Sequence, residues 1–437
     1  MRNNLPKVLM LGWEFPPIIN GGLGVACHDL SSAMSDLANI TMVVPKSSLD
    51  FKVKNMNLVG INNIDINSFD SSFNYKRQPL PFELQSVSWD LNPYYSDYSI
   101  NSSDTLEGLQ EPLGLLNNSS GDGEKLNPFN IDHLYGGDII NKVYQYADIV
   151  TALSSKIDFD VIHAHDWMTM LAGIKIKQQT GRPLVMHIHS LEVDRSGVNS
   201  KGWVYELEKK GMEYADLLMP VSHFTANNIH KYYGISKNKM SVIHNGSIIV
   251  DSFKSKRKFR EKTVLFVGRL TRQKGPEKFL EIASKVLEKN PDVRFVMAGV
   301  GDYFNSMLEK SSYNNIGNRF YMTGFLNLEK LRYLFSVSDV YCMPSVSEPF
   351  GLSAVEAAQF GIPCVISKQS GVAEVLSGAL KFDYWDTNKA ASNILNLLSD
   401  SVLRKKVIKD ASQNLDKITW DISAQKIINA YSTNNFI

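Results

Sequence analysis

Little in this chain points to an extracellular, membrane or nucleic-acid setting. Its three cysteines, Cys27, Cys342 and Cys364, stand far apart, each within or beside an apolar run. They are too few for a disulfide framework and lack the paired spacing of a zinc site, so they read as small buried hydrophobes. No apolar stretch is long enough to cross a bilayer. The segment Met1–Lys7 leads straight into a short apolar strand with no signal-peptide core, which makes a cytoplasmic location the expectation. Charge of one sign is missing too: 46 Lys and Arg face 45 Asp and Glu over 437 residues. That balance leaves no global field for nucleic acid, so cations that bind phosphate must act locally. A dinucleotide fingerprint is absent as well. In Gly22-Leu23-Gly24 the third glycine position falls on Cys27, and the second strand closes on Val44-Pro45-Lys46 with no acid, which argues against a dehydrogenase.

What is present is a regular alternation of short apolar runs and helical patterns. Strands are expected at Lys7–Trp13, Ile40–Pro45, Val161–His165, Pro183–His189, Leu217–Val221 and Met240–His244. A second series follows at Thr263–Gly268, Arg294–Gly299, Arg319–Gly324, Val340–Pro344 and Pro363–Ser367. Continuous apolar strands separated by helices imply parallel sheets covered on both faces. The fold class is therefore α/β, doubly wound. The expected divisions are an N-terminal domain over 1–250, a linker of solvated charges at 251–262, a C-terminal domain over 263–417 and a last helix within 418–437. A polar insertion at about 63–132 breaks the pattern; it is either a surface loop or an acceptor lid whose Trp89, Tyr94, Tyr95 and Tyr98 stack on sugar rings.

Unusual residues gather where such sheets bind ligands, beyond the carboxyl ends of strands. Gly21 and Gly22 follow the first strand, where backbone N–H groups and a helix start suit a phosphate. The alternating histidines His163/His165 and His187/His189 invite a metal reading, but His163 and His187 precede the strand ends and read as core. His189 and Asp166, at the strand tips, are the better candidates. Asp158-Phe159-Asp160 imitates a metal-binding motif but lies at the amino end of a strand, the wrong end. Arg269, Arg272 and Lys274 place cations just past a buried strand, suited to a diphosphate leaving group. The most specific signal is Pro344–Ala357. Here a strand ends, a tight loop carries Glu348, a helix begins near Phe350-Gly351-Leu352, and Glu356 lies within reach of ribose hydroxyls.

Together these residues resemble the retaining glycosyltransferases of the GT-B fold, specifically the GT4 group with the related glycogen and starch synthases. The match rests on Glu348-x7-Glu356, the Gly21-Gly22-Leu23 turn, His163–Trp167, His189, Gly268-Arg269 with Lys274-Gly275, and Ser370–Glu374. The resemblance implies two Rossmann-like domains facing across a cleft, with the last helix crossing back to the first. It implies a nucleotide-sugar donor such as UDP-glucose or ADP-glucose, a carbohydrate acceptor, and neither cofactor nor metal. It assigns Arg269, Lys274, Gly21, Gly22 and Phe350–Leu352 to the diphosphate, and Glu356 to the ribose. Glu348 falls to the donor sugar, His189 to the reacting carbon and Asp166 to donor or acceptor hydroxyls. Asn20 stands where bacterial glycogen synthases carry lysine, removing one phosphate contact; the expectation is a glucosyl donor and an α-glucan acceptor. An NDP-sugar epimerase on the same fold and a non-catalytic nucleotide-sugar module are the rival readings.

Overall fold

A computed structural model describes residues 5–18, 21–64, 134–136, 138–248, 255, 257 and 259–437. The polar stretch at 65–132, Asn20 and half of the 251–262 linker lie outside them. The described chain forms two six-stranded, wholly parallel sheets. The first comprises β1 (Lys7–Leu11), β2 (Asn39–Val44), β3 (Met56–Gly60), β4 (Val161–His165), β5 (Leu184–Ile188) and β6 (Leu217–Pro220), in the order β3-β2-β1-β4-β5-β6. The second comprises β7 (Lys262–Val267), β8 (Val293–Ala298), β9 (Phe320–Gly324), β10 (Val340–Met343), β11 (Cys364–Ser367) and β12 (Leu380–Phe382), in the order β12-β11-β10-β7-β8-β9. Both are the doubly wound order, and strand order reverses between β1 and β4 and again between β7 and β10.

The strands are buried on both faces. In β4 and β5 every residue is inaccessible, which is why their sequences VIHAH and LVMHI show no alternation. Phe266 and Phe295 of the second sheet interlock with Phe279 of the covering helix Pro276–Lys289, whose ring is edge-on to Phe295 at 5.5 Å. Truncating Phe279 to alanine would cost about 3–5 kcal/mol. All three cysteines are buried thiols.

Three local expectations change. Met240–His244 forms no strand; Met240 makes one isolated bridge to Leu218, and β6 is the sheet edge. The edge strands β3 and β12 were not expected, because Met56–Gly60 is half polar and Leu380–Phe382 has only three residues. Nor are the described linker charges simply solvated. Arg257 donates to Asp339 Oδ2 at 2.7 Å, while Glu261 accepts from Arg294 and Arg319.

The helix Trp420–Thr433 packs against the helix Gly22–Met34 of the first half. Its Trp420, Ala424, Ile427 and Tyr431 share one apolar cluster with Val8, Met10, Val185 and Met219. The chain therefore returns to the first sheet after completing the second.

Candidate active site

The strongest geometric feature lies at the switch point of the second sheet, where the loops after β7 and β10 meet. The Lys274 ammonium donates to Glu348 Oε2 at 2.6 Å, and Ser345 Oγ donates to the same oxygen at 3.2 Å. Glu348 is buried, 5% exposed. Val346 N donates to Gln273 O at 2.8 Å, which welds these two loops by backbone, and Glu348 N donates to Gln369 O at 2.9 Å in the loop after β11. Gly275 makes that approach possible. Its φ is +67°, and a Cβ there would collide with the Pro344 carbonyl oxygen. Arg269 lies on the same loop as Lys274; it is exposed, and its guanidinium makes no hydrogen bond or ion pair among the described residues.

The loop after β10 leads through buried Phe350 and the N-cap Gly351 into the helix Leu352–Gln359. The first N–H groups of such a helix have no partner within it. Leu352 packs against apolar clusters of both domains. Glu356 sits within this helix, and burial raises its carboxyl above the usual range while Arg332 opposes the shift.

On the facing domain, Asp166 and His189 stand beyond β4 and β5. Asp166 has φ +58° and ψ 175°, a region that side chains rarely enter, so the surrounding structure holds it under strain. Its Oδ1 accepts from the backbone of His189 at 2.7 Å and Ser190 at 3.2 Å. Burial pushes its pKa up to about 7, against the pull of Arg195 and those two N–H groups. His189 is one of four histidines stacked on a single face of the sheet. His165 Nδ1 meets His189 Nε2 at 2.9 Å, His163 Nε2 meets His187 Nδ1 at 3.1 Å, and Tyr431 closes the row on His163. Burial lowers all four, His163 and His189 to about 3, so the row is neutral. His189 Nδ1 is buried without a partner among the described residues. Cys27 also approaches His165 and His189 closely enough to share an ion with them. Asp158 and Asp160 both engage Lys7 at the amino end of the sheet, away from these groups.

Among the described residues nothing lies within 4 Å of a Cβ built on Gly21 or Gly22. The Gly21 N–H is nevertheless engaged, donating to Glu14 Oε2 at 3.2 Å, so an anion arriving there would share or displace that carboxylate.

Several contacts that hold the two halves together carry no sequence signal. Ser347 Oγ donates to Asp194 Oδ1 at 2.6 Å, and Ser222 Oγ to Pro349 O at 2.6 Å. Glu374 accepts from His223 N, Phe224 N and His244 Nε2 at 2.6–2.9 Å. Burial alone would raise the Glu374 carboxyl, but these donors hold it below its ordinary value. Glu374 belongs to the matched run Ser370–Glu374, yet nothing in that run says that its partner lies in the other domain.

Comparison with known proteins places this geometry. Residues 131–247 match the model described as Glycosyltransferase Family 4, and residues 248–414 match Glycosyl transferases group 1. An uncharacterized glycosyltransferase of Methanocaldococcus jannaschii is 26% identical, with 97% of each chain covered. The glycogen synthase of Mycobacterium tuberculosis is 24% identical over 97% of this chain and 93% of its own. Among solved structures, the sucrose-phosphate synthase of Thermosynechococcus elongatus superposes with a TM-score of 0.72 at 16% identity, covering 98% of both chains. The Anabaena protein HepE, crystallised with UDP-glucose, superposes with a TM-score of 0.63 at 16% identity, over 98% of this chain and 99% of its own. No helix among the described residues is long and apolar enough to cross a membrane. Two family models in tandem, over two doubly wound sheets, make this chain an enzyme, a member of the GT4-type glycosyltransferases on the GT-B fold.

Proposed function

We propose that the chain transfers a glucosyl group from a nucleoside-diphosphate sugar to a carbohydrate acceptor, an α-glucan, with retention of anomeric configuration. The observation that carries the reading is the Lys274–Glu348 contact at the switch point, a cation and a buried acid held together beside a helix start. The donor preference draws support from HepE, crystallised with UDP-glucose, and the acceptor from the glycogen synthase relative.

In this reading Arg269, Lys274 and the N–H groups of Phe350–Leu352 bind the diphosphate, joined by the Gly21–Gly22 turn when Glu14 yields. Glu356 takes the ribose, and Glu348 takes the donor sugar hydroxyls. As the bond from the anomeric carbon to the diphosphate oxygen breaks, negative charge grows on a group already facing fixed cations. The acceptor oxygen bonds to that carbon from the face the diphosphate leaves, and its proton passes to a phosphate oxygen. His189 stays neutral beside the carbon, so it bonds a hydroxyl without placing positive charge next to a cationic transition state. Asp166 orients that end of the loop. Arg269 and Lys274 balance the leaving charge, so the reading assigns no metal.

Nucleotide release from UDP-glucose, ADP-glucose, GDP-mannose and UDP-GlcNAc, each with and without glycogen or maltooligosaccharides, tests the reading. Release that depends on the glucan supports it. An epimer or free sugar formed without acceptor would show an epimerase, and binding without turnover a non-catalytic module.

A further inference from the structure

One loop of the N-terminal domain carries His189 at its start and Asp194 five residues on. Asp194 is 2% exposed, and its carboxylate is fully engaged. Oδ2 accepts from Leu191 N at 3.1 Å, and Oδ1 accepts from Asn228 Nδ2 at 3.1 Å and from Ser347 Oγ at 2.6 Å. The last of these crosses between domains and ends on the residue next to Glu348. On that side, Val346 N and Ser347 N both face Gln273 O, at 2.8 and 3.5 Å, so Ser347 moves with the Lys274 turn. The loop is stiff on its own side too. Arg195 donates to Ser190 Oγ and to Glu208 Oε1, both at 2.6 Å, while Glu192 N donates to Glu208 at 2.9 Å. A second contact flanks the bond: Arg272 Nη1 lies 2.6 Å from where a Cβ on Gly197 would stand.

We propose that the Asp194–Ser347 bond sets the register of the two domains for reaction, holding the Lys274–Glu348 pair at a fixed place opposite His189. Both are positioning residues; neither touches substrate. The proposal rests on the function proposed above, and the bond is the only part of the frame it needs. The contacts of Glu374 and Ser222 hold the domains together without it, so its loss loosens the register and leaves the fold intact.

The test is a cycle of Ser347→Ala, Asp194→Ala and the double variant, with Ser347→Thr restoring the hydroxyl. Nucleoside-diphosphate release is followed with whichever of UDP-glucose and ADP-glucose the enzyme uses. UDP and ADP affinities are measured by calorimetry. Ser347→Ala is expected to lower kcat about ten-fold or more while donor KM and nucleotide affinity stay within about two-fold, because misplacement affects the reacting geometry and not the nucleotide site. Ser347→Thr restores the rate, and Ser347→Ala costs nothing further in the Asp194→Ala background. Wild-type kcat in Ser347→Ala, or losses that multiply in the double variant, overturns the proposal. Small-angle scattering reads the register without turnover: wild type and Ser347→Thr hold the same compact profile with and without UDP or ADP while Ser347→Ala broadens, and identical profiles for all three also overturn it. A wild type that binds nucleotide and holds the compact profile but never turns over would sink the function and leave the register bond standing.

Discussion

At the residue scale the balance of charge around Glu348 decides most. Its carboxylate is 5% exposed and has Lys274 at 2.6 Å, so removing the lysine leaves a buried acid facing the donor diphosphate. Removing the acid leaves the lysine in place but frees the sugar. Both changes act on charge that matters most as the bond to the diphosphate breaks. Lys274→Ala and Glu348→Ala are each expected to lower kcat about 100-fold or more, measured as nucleotide release at saturating donor and acceptor. A rate near wild type in either variant would place the chemistry elsewhere. Glu348 and Lys274 were legible from the sequence because each is a charge just past an apolar strand. Asp194 and Ser347 were not, since an acid and a serine in polar loops announce no partner 153 positions away.

At the scale of elements, the strand tips of β4 and β5 show what periodicity reads well and where it stops. Alternation placed His163 and His165 on one face and His187 and His189 likewise, but only the register, with His165 opposite His187, joins them into a single row. The parallel pairing that creates the row is long-range and leaves no local mark. The row has a consequence for acid stability. Each histidine is neutral when folded, His163 and His189 down to about pH 3, but takes a proton near pH 6.5 when unfolded. Falling pH between 6.5 and about 3 therefore favours the unfolded chain. Asp166, Asp194 and Glu208, raised by burial to about 7, 6 and 7, work in the opposite sense, staying protonated in the fold where the unfolded chain has lost its protons. Glu356, raised by burial as well, makes four carboxyls against four histidines, so the two sets offset one another until the unfolded carboxyls take up protons near pH 4, and below that the histidines bring a net loss of stability. His187→Phe removes one of the four, so on going from pH 7 to pH 5 its unfolding free energy in urea is expected to shift in the stabilising direction relative to that of wild type. An equal change in both proteins would mean that the row does not set the acid limb.

At the scale of the whole molecule, the two sheets were readable from two series of apolar strands, whereas their attachment depends on backbone contacts that no side-chain pattern encodes. The returning segment is the clearest case. Ser247 N donates to Ile418 O at 3.0 Å and Ser423 Oγ to His244 O at 2.6 Å, so the stretch leaving the first domain and the stretch re-entering it run side by side. Gly246 lies between these bonds, and a Cβ there would overlap Trp420 N and Thr419 C. Both are backbone atoms at the start of a helix whose Trp420, Ala424, Ile427 and Tyr431 are buried on the first sheet, so they cannot give way without lifting that face. Gly246→Ala is therefore expected to cost more than about 2 kcal/mol, in the range that core strain produces. Gly317→Ala is the matched control, since no described residue lies within 4 Å of its Cβ and its change should stay within about 0.5 kcal/mol. Thermal and urea unfolding of the two variants decide the point: equal stabilities would show that the returning helix tolerates displacement, and that the domains are held chiefly by the contacts of Glu374 and Ser222.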